Sequence, residues 1–146
     1  MPTTRAAVSA EKRVLDANGR LYQALESKNM AGIQSIWWHD EWVQCLHPGW
    51  PLVRGWRQIE ESFSTIFRLT TQLSVTVSQP LVHVCGNSAW VSSTEQITMV
   101  MGGEFIATRV EATNLLERRG AEWRLVNRHT TPVPGAGFVE GSQSVH

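Results

Sequence analysis

Cysteine is scarce in this sequence. Cys45 and Cys85 are the only two among 146 residues, and they do not form a CxxC pair. Both stand in apolar, strand-like contexts, where a free thiol behaves as a small buried hydrophobic group. The sequence therefore predicts two buried free cysteines rather than a disulfide, a nucleophile or a metal-binding pair.

Net charge and long hydrophobic runs are also missing. Thirteen basic residues balance thirteen acidic ones, so no overall field attracts nucleic acid or an anionic membrane. No apolar run approaches the roughly 20 residues that span a bilayer. The N-terminus lacks the charged-then-apolar pattern of a secretion signal. These absences predict a cytoplasmic protein with neither a nucleic-acid nor a membrane partner.

Tryptophan, in contrast, is abundant, with seven residues in a chain that has one tyrosine and four phenylalanines. Tryptophan is large and amphipathic, so a cluster of these residues indicates an aromatic-lined cavity or an interface. A core built from large side chains would account for the same composition.

Helical periodicity dominates the first half of the chain. From Ser9 onward, one stripe at helical spacing is formed by Val14, Leu15, Leu21, Tyr22 and Leu25. Asn29 can cap a second, shorter helix. A short strand is predicted over 42–46. After Gly55, an i, i+4, i+7, i+8 pattern of apolar residues predicts a third amphipathic helix.

The second half alternates with a period of two. It predicts four antiparallel strands over about 73–85, 88–100, 104–118 and 122–131, with a bulge or bend at Pro80. Helices that precede an antiparallel sheet indicate an α+β domain, here over residues 1–133, with helices across a curved sheet that encloses a pocket. Residues 134–146 are rich in Gly, Pro and Ser, so a mobile or partner-crossing tail is expected.

A stiff loop joins the two halves. His47, Pro48, Gly49, Trp50 and Pro51 follow one another, and Arg54 and Gly55 come shortly after. Proline fixes φ and removes a backbone donor, so this loop holds its imidazole and indole in place. Loops of this kind often line small-molecule pockets.

Over residues 10–133 the chain resembles the SnoaL-like branch of the nuclear transport factor 2-like superfamily. The resemblance rests on the first-helix segment 22–26, the loop 47–55, the segment 122–126 and His129. It implies a cone-shaped barrel, three N-terminal helices on a curved sheet, and a homodimer formed through the outer faces of the sheets. The superfamily contains steroid isomerases, dehydratases and polyketide cyclases, and also non-catalytic members such as a kinase association domain, so the fold does not decide function.

In ketosteroid isomerase-like relatives an Asp base occupies the position that matches His47. Imidazole is suited to proton transfer near neutral pH, although this histidine could simply hold the loop. The relatives' oxyanion hole does not carry over: Tyr22 falls one residue off the matching position, and the acid's position aligns near Thr113 and Asn114. Steroid isomerase chemistry is therefore not expected.

Two further candidates come from strand alternation. Glu95 shares a face with the apolar residues of its strand. A carboxylate in such a position either pairs with a cation, for which Arg109 or His129 could serve, or has a catalytic role. His129 and Asn127 lie two apart on the last strand, on the face of Trp123, and are predicted to point inward. A core histidine satisfied by a neighbouring hydroxyl is the alternative for His129.

Two functions remain open on this reasoning. In the first, an isomerase, dehydratase or cyclase acts on a small carbonyl or aromatic substrate, with His47, His129 and Glu95 as catalytic residues. Trp50, Arg54, Trp37, Asn127 and Asn114 are the candidate substrate-binding residues. In the second, the same cavity belongs to a non-catalytic binding or homo-oligomerisation module. No metal or cofactor is expected, because no HxH or HExxH pattern occurs.

Overall fold

The computed structural model describes residues 2–134, with side chains from Ser9 onward. Three helices and six strands follow in the order α1 (Pro2–Glu26), α2 (Met30–Ile36), β1 (Gln44–Leu46), β2 (Val53–Arg54), α3 (Trp56–Leu69), β3 (Thr70–Cys85), β4 (Ser88–Met101), β5 (Glu104–Arg119) and β6 (Glu122–Pro132). The predicted α+β order is confirmed, with the two-residue strand β2 as an addition. Residues 135–146, to which most of the expected tail belongs, lie outside the described part.

The helices cover one face of the sheet through apolar stripes. Four of the five residues of the α1 stripe are buried, whereas Leu15 is exposed. Ile59 and Phe63 of α3 are buried at the spacing that the sequence predicted. Both helices pack against β3, and α1 also contacts β6. The core of the domain therefore lies between the helices and the inner face of the sheet.

The six strands form one sheet in the order β2-β1-β6-β5-β4-β3. All neighbours are antiparallel except β1 and β6, which run parallel with Leu46 opposite His129. β2 and β3 are the two edges, so the sheet is curved but open. The expected cone is present, but it is not a closed barrel.

A bulge in β6 overturns one prediction about the site. Leu115 pairs with Asn127 and Leu116 pairs with Leu125, so Val126 is an extra residue on β6. Because an extra residue reverses the alternation beyond it, the buried positions change parity along this strand. Trp123 and Leu125 are buried before the bulge, whereas Arg128 is buried after it and His129 is exposed. The prediction that His129 and Asn127 point inward with Trp123 is therefore wrong.

A second bulge lies where Pro80 predicted one. The pairing of β3 with β4 shifts between Ser78 and Leu81, and Gln79 has a φ of 55°. Proline cannot donate to the ladder, which explains why the irregularity falls at this residue. The predicted bulge is confirmed.

The two cysteines are free, as predicted, but only Cys45 is buried, because Cys85 lies at the exposed end of β3. Within residues 2–134, no helix is long and apolar enough to cross a membrane.

Candidate functional site

A buried ion pair lies between the helices and the sheet. Arg128 of β6 donates two hydrogen bonds to Glu95 of β4, with distances of 2.8 Å to Oε2 and 2.9 Å to Oε1. Glu95 is fully buried, and Arg128 is 3 % exposed. Burial alone would raise the pKa of Glu95, but the charge and hydrogen bonds of Arg128 outweigh burial and lower that pKa below its usual value. Glu95 is therefore an ionised, paired carboxylate.

Three polar side chains complete the hydrogen bonding of this pair. Tyr22 of α1 donates to Glu95 Oε2 at 2.5 Å. The amide nitrogen of Asn114 donates to the Tyr22 hydroxyl at 2.9 Å and to Asn18 Oδ1 at 2.8 Å. Its oxygen accepts from Arg128 at 3.1 Å. Burial, together with the negative charge of Glu95, raises the pKa of Tyr22 to about 12, so this phenol keeps its proton. These five residues are called the interior network below.

His47 lies at the end of β1, beside the interior network. Its Nε2 is 2.8 Å from Ser62 Oγ, and Ser62 donates its single hydrogen to the carbonyl of Ile59 at 2.7 Å. The proton between His47 and Ser62 therefore belongs to Nε2, which leaves Nδ1 as the unprotonated nitrogen of the ring. Both ring nitrogens lie 3.8 Å from the thiol of Cys45.

The surroundings of His47 keep its imidazole neutral. The ring is 5 % exposed and meets the edges of Phe63 and Trp50 at centroid distances of 4.8 Å and 5.1 Å. Burial, and then the positive charge of Arg128, lower the pKa of His47 to about 3. In this conformation His47 is a hydrogen-bond donor to Ser62 and a weak base.

An open groove lies outside His47. It has a volume of about 680 Å³ and is lined by the loop and the first turn of α3, namely by Trp50, Pro51, Leu52, Val53, Arg54 and Gln58. The loop is fixed by a turn in which the amide of Trp50 donates to the carbonyl of His47 at 3.0 Å, and Gly49 takes a φ of 81° there. Trp50 thus forms part of the groove on one side and contacts His47 on the other.

The structure brings some of the predicted site residues together and separates others. His47, Trp50 and Arg54 belong to the loop region, whereas Glu95 and Asn114 belong to the interior network. Trp37 is fully buried in the core, where its ring lies 6.4 Å from that of Phe63. It therefore lines no groove in this conformation.

Two predicted residues lie elsewhere. His129 is exposed on the sheet face turned away from the helices, and Asn127 is half-buried at the bulge. The proposed partners of Glu95 are also wrong: Arg109 lies on the outer face and bonds to Gln96 at 3.4 Å. The actual partner, Arg128, is adjacent in sequence to His129 and was missed because the strand alternation was carried across the bulge.

Asn18 and Ser62 were also missed, and Tyr22 was set aside as one residue off the matching position, although its hydroxyl belongs to the interior network. The one signal that could have found Tyr22 and Asn18 is their spacing, because residues four apart share a face of a helix. Asn18 and Tyr22 therefore lie on the buried face of α1, next to its apolar stripe. Among residues 2–134, no cluster of three or more His, Cys, Asp or Glu side chains is arranged to hold a metal ion.

Several solved structures share this fold. A candidate dehydratase of the nuclear transport factor 2-like family from Streptomyces avermitilis is 27 % identical, with a TM-score of 0.78 over 84 % of this chain and 95 % of that one. A nuclear transport factor 2-like superfamily protein from Salmonella enterica is 18 % identical, with a TM-score of 0.81 over 90 % and 97 %. A candidate calcium/calmodulin-dependent protein kinase II association domain from Xanthomonas campestris is 18 % identical, with a TM-score of 0.68 over 79 % and 81 %.

No curated protein matches the chain in sequence. The sequence profile of the SnoaL-like domain, in contrast, matches residues 14–134, which include every residue of the interior network and of the groove lining. With the order of elements and the shared fold, this match identifies the chain as a member of the SnoaL-like domain family, within the nuclear transport factor 2-like superfamily.

Proposed function

We propose that the protein binds a small molecule in the groove beside Trp50. The observation that carries this proposal is the position of Trp50, whose ring lines the groove and also contacts the buried imidazole of His47. A ligand in the groove therefore contacts Trp50, and the Trp50 ring in turn contacts the buried imidazole of His47. The interior network itself is closed, because its polar groups bond to one another.

The lining of the groove indicates the chemical class of the ligand. Trp50, Leu52 and Val53 offer an apolar wall, and Arg54 and Gln58 offer a guanidinium and an amide at the same groove. A mostly apolar surface with a few polar groups is the usual composition of a small-molecule site. A guanidinium pairs well with a carboxylate or a carbonyl oxygen. The ligand in this proposal is a small aromatic or apolar molecule that carries such a group.

Turnover is the second candidate function, favoured by the 27 % identity to a candidate dehydratase. In this version, ligand binding displaces Trp50, and the unprotonated Nδ1 of His47 acts as the base in an isomerase, dehydratase or cyclase reaction. Burial keeps the pKa of His47 low while Trp50 covers the ring. Displacement of Trp50 must raise that pKa before His47 can accept a proton efficiently near neutral pH. Glu95 holds Arg128 rather than acting as a base, and His129 takes no part.

The outer face of the sheet supports a homodimer as a further part of the proposal. The outer face is defined here by the exposed side chains of Leu81, Trp90 and Leu115 and their neighbours on β3, β4 and β5. Trp90 stands opposite Leu115, and its ring packs against that of His83 with centroids 4.4 Å apart and planes tilted by 31°. An exposed patch of large apolar residues on one sheet face is typical of an interface. A pure assembly module, without a ligand, would use this face alone.

Tryptophan fluorescence tests the binding proposal. The panel contains small carbonyl, phenolic and steroid-like compounds together with the matched pair phenylacetate and phenylacetamide, which differ in charge. We expect a saturable change with at least one aromatic carboxylate or carbonyl compound, and a loss of that change in Trp50→Phe. Arg54→Ala should weaken binding of the carboxylate by at least about tenfold, since a charged hydrogen bond contributes about 1.5–3 kcal/mol.

Arg68→Ala is the matched control, because Arg68 is an exposed arginine at the C-terminal end of α3 and does not line the groove. It should bind the carboxylate as the unmodified protein does. Equal weakening by Arg54→Ala and Arg68→Ala, or a response that persists in Trp50→Phe, would contradict binding in this groove. If His47→Ala abolishes turnover of a bound compound and retains its binding, the second candidate gains support; full activity of that variant ends it.

A further inference from the structure

β3 forms an edge of the sheet and carries no charge of its own. It pairs with β4 on one side, and within residues 2–134 no strand pairs with its other side. The sequence has no Asp, Glu, Lys or Arg from Leu69 to Thr94, a range that includes the whole of β3. Edge strands of soluble proteins commonly carry charged side chains, above all lysine, that prevent pairing with other chains. Any such charge at the β3 edge has to come from another element.

The stretch of β3 from Gln72 to Ser78 favours the addition of a further strand. It keeps one unbroken register with β4, and its sequence, QLSVTVS, alternates polar and apolar residues without proline or glycine. Uncharged segments of this length and composition pair readily with copies of themselves when their edge is free. Beyond Ser78 the edge is interrupted, because the bulge next to Pro80 disrupts the strand.

Glu26, the last residue of α1, occupies the middle of this edge. Its Oε2 accepts a hydrogen bond from the backbone amide of Val75 at 3.0 Å. Because that amide bonds to Glu26, it faces away from β4. The alternation of an antiparallel ladder turns the amides of Leu73 and Val77 to the same side. Glu26 therefore binds the central one of three amides that a neighbouring strand would use.

The chain that follows Glu26 is anchored beside the same strand. Lys28 adopts a left-handed backbone conformation, with a φ of 51°. Its Nζ donates to the carbonyl of Phe67 at 3.2 Å and to the carbonyl of Thr70, the first residue of β3. These contacts tie the end of α1 to the start of β3. One charge of each sign thus lies next to a strand that has none of its own.

We propose that the free edge of β3 is an interaction surface for β3 of a second copy of this chain, and that Glu26 keeps this surface covered. An added strand has to place a backbone carbonyl opposite the Val75 amide, where the Glu26 carboxylate already accepts the hydrogen. A carbonyl and a carboxylate are both acceptors, so they cannot share this amide without leaving a charge unpaired in the new contact.

The sequence of the edge fits a second copy in the antiparallel direction. The N–H of Val75 faces the free edge, so two copies can pair symmetrically with Val75 opposite Val75 as a hydrogen-bonded pair. Apolar residues then stand opposite apolar ones and polar opposite polar, namely Leu73 with Val77 and Ser74 with Thr76. Matched cross-strand pairs of this kind stabilise a sheet.

Sedimentation velocity on the full-length chain tests this proposal. Glu26→Ala should form a species of twice the mass of the unmodified protein, with association at least about tenfold tighter, a factor that corresponds to about 1.4 kcal/mol. Glu11→Ala is the matched control, because Glu11 is an exposed acid of the same helix, α1. It should associate as the unmodified protein does. Glu26→Lys returns a charge to the edge and should suppress the larger species.

Amide hydrogen exchange then locates the contact. In Glu26→Ala, the amides of Leu73 and Val77 should become protected as the protein concentration rises, because they donate to the second copy. Three results would overturn the proposal. They are equal association of Glu26→Ala and Glu11→Ala, equal association of Glu26→Ala and Glu26→Lys, and a larger species in which these two amides stay unprotected. Protection of the core amides of β5 reports that each variant retains the fold.

Discussion

Glu95 and Arg128 hold two strands of the sheet together from inside the core. Beside the bidentate contact, Tyr22 donates a hydrogen bond to Glu95 and Asn114 accepts one from Arg128, so neither charge is left without a partner. Such a pair contributes little stability compared with apolar side chains of the same size, but loss of one member leaves the other charge buried alone. The pair therefore enforces the bulged register of β6, because only that register turns Arg128 inward.

We expect Glu95→Gln to lower the free energy of unfolding by about 3–5 kcal/mol, since it leaves the Arg128 guanidinium in the core without a countercharge. Urea unfolding at pH 7 measures this change. Glu111→Gln is the matched control, because Glu111 is an exposed acid of the same sheet that bonds to Thr94. Its effect should stay within about 0.5 kcal/mol. Equal stability of Glu95→Gln and the unmodified protein would contradict the buried pair.

His47 predicts a pH dependence of stability. Its pKa is about 3 in the folded chain, below its value of 6.5 in the absence of burial, so the unfolded chain binds the proton more readily. The stability is therefore complete above the unfolded pKa and falls as the pH drops through the window from about 6.5 to about 3.

Between pH 7 and pH 5 this residue should account for a loss of about 2 kcal/mol in the free energy of unfolding. Urea unfolding at the two pH values measures the loss, and His47→Asn should reduce it by most of that amount. If the variant and the unmodified protein lose the same stability over this interval, His47 is not buried in its neutral form.

At the scale of elements, two glycines in the first two helices differ in the space that is available for a side chain. A Cβ at Gly19 of α1 would meet nothing within 4 Å, whereas a Cβ at Gly32 of α2 would lie 2.8 Å from the Cβ of Ala24. Alanine favours the helix over glycine, but a new methyl group without space forces the packed helices apart.

Gly19→Ala should therefore raise the free energy of unfolding by about 0.5–1 kcal/mol. Gly32→Ala should lower it by about 1–3 kcal/mol, because the contact between α1 and α2 must open. Thermal unfolding of the two variants checks both signs. Stabilisation by both substitutions would show that α1 and α2 are not packed this closely.

The sequence predicts the elements well and the interior site poorly, for physical reasons. Apolar periodicity placed Ile59 and Phe63 on the buried face of α3, and Pro80 marked a bulge because proline cannot donate. Nothing in the composition around Val126 marks the bulge of β6, since any residue can occupy it. Arg128 is buried only because of that one inserted residue. Alternation without the bulge therefore predicted that His129, rather than Arg128, points into the core.

At the scale of the whole molecule, the two sides of the sheet have different roles in the proposal. The inner face carries the core and the interior network, and the outer face carries Trp90 and Leu115 without a covering layer in the described chain. Self-association through the outer face would leave the groove beside Trp50 open, because the groove is lined by the loop and α3 rather than by the outer face.

Sedimentation velocity should accordingly give a dimer for the unmodified protein and a monomer for Trp90→Lys, since a charge in the middle of an apolar interface is costly. Trp42→Lys is the matched control: Trp42 is also exposed but lies in the segment between α2 and β1. It should leave the dimer intact. A monomeric unmodified protein, or equal effects of both variants, would contradict an interface on the outer face.

The most direct test of the account is a titration of the ¹⁵N-labelled protein with phenylacetate, followed through the seven tryptophan indole signals and assigned with Trp50→Phe. We expect a saturable shift of the Trp50 indole, smaller with phenylacetamide, and unchanged signals from Trp90 and Trp42. Absence of any saturable Trp50 shift, with phenylacetate and across the wider panel, would contradict a small-molecule site in this groove. A response confined to Trp90 would contradict it equally and would move the function to the outer face of the sheet.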